Sequence, residues 1–386
     1  MTNPTGATLE NWRLQPHSAW GFRNVRSLIP TANIRAEARN AQALPIADRE
    51  LDAISFETAV GKTKTVADVL AEGDTDGFLV LHRGAVLTER YANGLSPEQP
   101  HLMMSVSKSL TSTLTAIVID RGDLTADTEV STLLPEVKNS VYSNVTVRHL
   151  LDMTVATGFE EDNDDPEGDA AYFDAVAGWR PRPPDVADTY EFLASLQAIG
   201  AHGERVLYSS PNTDVLGWLL ERVVGRPVAQ QLSEEIWLPM GAEFDAYITV
   251  DPSGAAATNG GVCASLRDLA RFGQLCLDRG ESCRKRIVPE AWFNDTIENA
   301  DIAAWKRGDI AEMVPLITGY RNNWWVTGND HRAYTGVGIY GQWLYIDPEA
   351  EMVIAKFSSQ PLAIDLDLMD DALRAFHAIA CQLASG

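Results

Sequence analysis

The sequence predicts an α+β fold: an antiparallel sheet built from both ends of the chain, flanked by helices, with a helix-rich second region packed beside it. Three observations carry this. Residues 77–81 and 86–91 are apolar runs that flank Arg83-Gly84, the pattern of a hairpin. Residues 338–346 and 352–358 repeat that pattern near the other end, split by Asp347-Pro348. Between them, from about 100 to 270, apolar residues recur three and four apart, as on the buried face of a helix. The division that follows is an N-terminal arm over 1–50, a sheet region over 51–100 and 270–386, and a helix-rich region over 101–269, with a cleft between the last two.

Each element has its own reason. Trp12, Trp20 and Phe22 stand among prolines and polar residues, so the first fifty residues are expected to wrap as a packed arm, because aromatics in a loose tail are costly to leave wet. Leu110, Leu114, Ile117 and Val118 mark a long half-buried helix that ends near Gly122. A loop is expected at 133–136 and a short helix over 146–153. The acidic run Glu160-Glu-Asp-Asn-Asp-Asp165 reads as a solvated loop, having no calcium-ligand spacing. Residues 188–196, 212–224 and 365–383 read as helices.

Composition narrows the function. A chain of 386 residues, 45% hydrophobic and 22% charged, can bury a large core, and it has no uncharged apolar run that would span a bilayer. Its first residues lack the basic start and apolar core of a secretory signal, so a cytoplasmic protein is expected. The net charge of −23 argues against nucleic acid and does not repel a cationic substrate. Cys263, Cys276, Cys283 and Cys381 are too sparse for a disulfide framework and are expected as reduced, mostly buried thiols. They and the seven scattered histidines give no zinc pattern, so no metal or other cofactor is expected. The expected partner is a small-molecule substrate, not nucleic acid or a membrane.

One stretch carries chemistry: His101-Leu-Met-Met-Ser105-Val-Ser-Lys108-Ser-Leu110. Residues three apart share a helix face, so Ser105 and Lys108 would point into one pocket, where a desolvated amine beside positive potential could take the serine proton. Ser282-Cys-Arg-Lys285 has the same spacing, but it lies between Gly280 and Pro289 among charges and reads as a solvated turn. The bland reading of Ser105 and Lys108, a helix start with a surface lysine, stays open on spacing alone. Tyr208, just before a helix, is either a proton relay or an aromatic packed at the helix entrance. Gly336-Val-Gly338-Ile-Tyr-Gly341 is either a bulge or a strand start on which a substrate lies, with backbone N–H groups placed for an oxyanion.

In this order and spacing, the three motifs resemble the serine β-lactamase and DD-peptidase superfamily, in its class C and carboxylesterase-like branch. The resemblance spans nearly the whole chain and tightens to the 6-aminohexanoate-dimer (nylon-oligomer) hydrolases over 101–109, Ala177-Gly-Trp-Arg180, 187–192, 208–216, 259–263, 267–271 and 324–329. It implies Ser105 as nucleophile, Lys108 as base, Tyr208 as relay to the leaving group, and the N–H groups of Ser105 and Ile339 as the oxyanion hole. It also implies that Asp174 holds the substrate's ammonium, that Asn259 lies beside the cleft and aids the amide reaction, and that the protein is a homodimer. Ser210, Trp179 and Gly338 join the expected substrate contacts, and Trp324 and Trp325 are further candidates for the cleft wall, although core packing explains a tryptophan equally well. Three positions depart from the pattern. Ser210 replaces the asparagine of Tyr-x-Asn, Gly336 replaces the lysine of Lys-Thr-Gly, and Asn163 stands where the efficient nylon-oligomer hydrolases carry a closing tyrosine. Antibiotic hydrolysis is therefore not expected. The expectation is a serine hydrolase acting through an acyl-enzyme on small linear amides with a free amino end, with esterase activity. The rivals are a plain carboxylesterase and a ligand-binding protein without turnover.

Overall fold

The computed structural model describes residues 6–385 apart from 42 and 184, so the first five residues of the expected arm lie outside the described residues. Seven antiparallel strands form the main sheet: β1 (Thr75–His82), β2 (Ala85–Tyr91), β3 (Gly319–Arg321), β4 (Trp324–Val326), β5 (Tyr334–Gly338), β6 (Gln342–Asp347) and β7 (Met352–Ser358). Their order is β3-β4-β5-β6-β7-β1-β2, so the α+β sheet is indeed drawn from both ends of the chain. The seam is β7 against β1, where Val353, Ile354 and Ala355 face Leu81, Val80 and Leu79.

Near-continuous apolar runs suit these strands because both faces of the sheet are covered. Alternation sends Leu79, Leu81, Leu344, Ile346 and Val353 to one core, and Phe78, Val80, Trp343, Tyr345 and Ile354 to the other. Five helices matter below: α1 (Ser107–Asp120), α2 (Asp169–Val176), α3 (Ser210–Val224), α4 (Leu266–Leu277) and α5 (Leu366–Ala384). The first core is closed by Leu269, Phe272 and Leu275 of α4, and the second by Phe376, Ile379 and Leu383 of α5. Ser265 and Asp365 cap these two helices, accepting from the N–H groups of Asp268 and Leu368.

Four details differ from the sequence reading. The boundary drawn at 269/270 cuts through α4, which starts at Leu266 behind its Ser265 cap. The helix-rich region also holds strands: Ala246–Thr249, Val262–Ala264 and His101–Leu102 join Thr31–Ile34 of the arm in a second, four-stranded sheet. With two to four residues each, these strands are too short for alternation to register. The loop expected at 133–136 is two short helical turns, Val130–Leu133 and Pro135–Val137, the second started by a proline at its first position. Residues 338–346 are not one strand. β5 ends at Gly338, and the chain reverses through Tyr340 and Gly341, both at positive φ (61° and 84°), before β6 begins. The first hairpin turns likewise at Arg83 and Gly84.

The arm is packed. Trp12 and Phe22 are buried, and the Trp12 indole N–H donates to the carbonyl of Trp179 at 2.9 Å with the two rings edge to face. Among the described residues no helix is long and apolar enough to cross a membrane.

Candidate active site

Ser105 sits on a sharp turn, Met104–Val106, that leads from the strand His101–Leu102 into α1. The preceding residue, Met104, is held at φ 47°, a conformation that costs a non-glycine residue on the order of 1 kcal/mol and survives only where packing enforces it. Strand β5 supplies that packing. A Cβ on Gly338 would lie 2.7 Å from the carbonyl oxygen of Met103 and 2.9 Å from Met104 Cβ, and one on Gly336 would lie 3.1 Å from Ser109 Oγ. The two glycines therefore let the strand lie against the Ser105 turn. This close approach brings the backbone at Gly338 and Ile339 beside Ser105, and all three border one cavity.

Beneath the serine, Lys108 is fully buried. Its Nζ lies 2.8 Å from Ser105 Oγ, 3.0 Å from Ser210 Oγ and 2.9 Å from the carbonyl of Asn259. Burial lowers its pKa to about 8, against the opposing pull of Glu161 and Asp214. The expected positive potential is thus replaced by two carboxylates, and desolvation alone does the lowering. When the amine is neutral, Ser210 Oγ and the Asn259 carbonyl take its two N–H groups, and its lone pair faces the Ser105 hydroxyl.

Two carboxylates that sequence reasoning passed over hold these acceptors. Glu161, from the acidic run, does not face solvent with Asp162, Asp164 and Asp165. It turns in to accept the Ser210 N–H at 2.7 Å and the Ser210 hydroxyl as well. The reason is local: Ser210 opens α3, whose cap residue Ser209 makes no side-chain bond, so a remote carboxylate satisfies the helix N-terminus. Burial raises the pKa of Glu161, and Lys108 opposes that rise. Asp214, one turn into α3, accepts from the Asn259 backbone at 2.8 Å, from the Asn259 side-chain amide at 2.6 Å and from Thr258 Oγ1 at 2.9 Å; burial pushes its pKa up to about 6. Asn259 therefore spends its amide on Asp214 and offers Lys108 its carbonyl.

Tyr208 is half-buried, and its phenol bonds to Ser105 while Lys108 Nζ lies 5.1 Å from the centre of its ring. Burial and Glu161 raise its pKa, so the phenol keeps its proton at neutral pH. Trp325 packs on the Tyr208 ring at 5.3 Å.

The cavity above these groups measures about 790 Å³. Trp325, Trp343, Val337, Val314 and Met369 form an apolar wall, while Arg13, Asp174, Asn163 and Asp164 line a polar end. Trp179 borders the cavity and is fixed by its indole N–H to Thr249 Oγ1 at 3.1 Å, whereas Trp324 lies in the core against Phe272 and Tyr334. Asp174, in α2, is already engaged: Arg13 from the arm and Arg180 both pair with its Oδ2, the latter at 3.3 Å. Arg13 was not a candidate from the sequence; it follows Trp12, whose ring anchors the arm here. The second Ser-x-x-Lys spans a hairpin turn with Cys283 and Arg284 at positive φ and Lys285 exposed. Of the four cysteines, Cys263 and Cys276 are buried and Cys283 and Cys381 exposed.

Comparison with known proteins agrees with this architecture. A family model described as Beta-lactamase matches residues 63–379. The 6-aminohexanoate-dimer hydrolase of Paenarthrobacter ureafaciens is 38% identical over 355 residues, covering 92% of this chain and 88% of that one. Esterase EstB of Burkholderia gladioli is 27% identical over 229 residues, 57% of this chain and 56% of that one. Among solved structures, a provisionally assigned 6-aminohexanoate-dimer hydrolase from Bacillus anthracis superposes with a TM-score of 0.89 at 26% identity, over 100% of this chain and 99% of that one. A family VIII carboxylesterase shares the fold at a TM-score of 0.57 and 14% identity, over 81% of this chain and 95% of that one. The chain belongs to the beta-lactamase family, and within that family its likeness is to the 6-aminohexanoate-dimer hydrolases.

Proposed function

We propose that the protein is a serine hydrolase that works through an acyl-enzyme on Ser105, cutting small linear amides with a free amino end, such as the 6-aminohexanoate dimer, with esterase activity alongside. The observation that carries this reading is the 2.8 Å contact between Lys108 Nζ and Ser105 Oγ at the floor of the cavity. Neutral Lys108 takes the hydroxyl proton as Ser105 Oγ attacks the carbonyl carbon. The negative charge moves to the carbonyl oxygen, where the N–H groups of Ser105 and Ile339 receive it. Tyr208 gives its proton to the departing amine or alkoxide and regains one from the Lys108 ammonium beside it. Water then attacks the acyl-enzyme by the same route in reverse.

A second reading, a carboxylesterase with slight amide turnover, is favoured by the Arg13–Asp174 pair, which competes with a substrate ammonium for the carboxylate. The test is the ratio of specific activities on 6-aminohexanoate dimer and p-nitrophenyl acetate for the wild type, Ser105→Ala and Arg13→Gln. Ser105→Ala is expected to lose both activities by a factor of about a thousand or more. Arg13→Gln is expected to raise the amide-to-ester ratio by releasing Asp174 from one of its two arginines. Ester turnover without measurable amide turnover in the wild type and in Arg13→Gln would establish the second reading, and activity retained in Ser105→Ala would end both.

A further inference from the structure

On the face of the sheet that α5 covers, at the far end of that helix from the cavity, four donor side chains converge from three segments. Asp347 ends β6, His331 lies in the connection between β4 and β5, and His377 and Cys381 stand one turn apart on α5. One ligand atom from each of His331, Asp347 and His377 falls within 4.8 Å of the others. Asp347 is fully buried, with His331 Nδ1 3.0 and 3.1 Å from its two oxygens. The His377 ring is edge-on to His331 at 5.0 Å, and Cys381 Sγ lies 3.5 Å from His377 Nε2. The leading turn of α5 lines the cavity through Leu366 and Met369. His377 lies roughly 16 Å further along that axis, so the cluster is separate from Ser105.

We propose that His331, Asp347, His377 and Cys381 form a structural site for a zinc-class divalent metal ion. The donor set is two imidazoles, a carboxylate and a thiol. It suits Zn²⁺ and Co²⁺, whereas Ca²⁺ and Mg²⁺ take oxygen donors. With metal bonds of about 2.0–2.3 Å, tetrahedral ligand atoms stand roughly 3.3–3.8 Å apart. His331 and Asp347 are already that close. The remaining approach is about 1 Å for half-buried His377 and longer for exposed Cys381, which lies outside the 4.8 Å group and joins by turning its side chain. An outer layer holds the carboxylate in place: the Ala350 N–H donates to Asp347 at 2.9 Å, the Tyr345 hydroxyl lies 3.4 Å from Asp347, and the Asn329 amide donates to the Tyr345 oxygen at 3.2 Å. Exposure of Cys381 gives the ion a way in. Once bound, it would tie α5 to the end of β6 and to the β4–β5 connection.

The full chain, stripped with EDTA, should be titrated with Co²⁺ and then Zn²⁺ and followed by absorbance, metal analysis and thermal unfolding. The expected result is one equivalent of Co²⁺ with tetrahedral visible bands and a sulfur-to-cobalt charge-transfer band, displaced by Zn²⁺, with a rise in Tm that EDTA reverses. Cys381→Ser should lose the charge-transfer band, Asn329→Ala should weaken binding about ten- to a hundredfold, and His377→Ala/Cys381→Ser should lose stoichiometric binding while keeping ester hydrolysis. Absence of stoichiometric binding by the wild type would overturn the proposal. So would a cobalt spectrum unchanged in the double variant, since the ion would then sit elsewhere.

Discussion

In the proposed mechanism Lys108 is the residue on which the chemistry turns, because its protonation state would decide whether Ser105 has a base. With its pKa lowered to about 8 by burial, the amine is mostly charged at neutral pH and becomes a base as pH rises. The sign follows directly: kcat/KM should fall about tenfold per unit as pH drops below about 8 and level off above it. Glu161 and Asp214 both favour the charged amine, so removing one negative charge should lower that pKa. Glu161→Gln is therefore expected to move the acid limb to lower pH, measured as a pH profile of p-nitrophenyl acetate hydrolysis; a limb that stays at about 8 or rises would contradict the arrangement. At this scale the sequence was legible where partners are neighbours in the chain. Ser105 and Lys108 are three residues apart on one turn, and the structure brings them within 2.8 Å. Arg13 with Asp174, Glu161 with Ser210 and Asp214 with Asn259 are joined only by the tertiary fold, and no local pattern marks them. Asp174 and Asn259 border the cavity, as expected of residues that face substrate, and both also spend hydrogen bonds on protein groups, which the sequence did not signal.

Among the elements, long strands and helices were readable and short ones were not. β1, β6 and β7 announce themselves by continuous apolar character, and α5 by its periodicity, because each buries enough side chains to leave a pattern. The second sheet, with strands of two to four residues, leaves none. The turn at 339–341 was hidden for a different reason. Its apolar residues extend the β-like run across a reversal that depends on Tyr340 and Gly341 adopting positive φ. β5 leads into that turn, and its glycines set the distance between the sheet and the Ser105 turn. Gly338→Ala should push Met103 and Met104 away, costing about 1–3 kcal/mol of stability and about a hundredfold in kcat as the Ile339 N–H leaves the proposed oxyanion position. Urea unfolding and initial rates on the same preparation measure both. A large stability loss with an unchanged kcat would show that the strand end does not serve the reaction.

The molecule as a whole depends on an arm that contributes to a cavity built mainly by other segments. Trp12 anchors that arm against Trp179, and Arg13 follows it into the polar end. Trp12→Ala should cost about 3–5 kcal/mol in urea unfolding and should also change KM, because Arg13 loses its tether. A purely structural arm would change only the unfolding midpoint. The seam between β7 and β1 has a consequence for biosynthesis. A ribosome makes β1 and β2 early and β7 near the end, so an emerging hairpin waits with one rim unpaired and apolar until the last strand arrives. The serine turn is made before the strand that enforces its shape. Nascent chains stalled before Met352 would thus be sticky and inactive, and completion of translation, more than any local nucleus, releases the working enzyme.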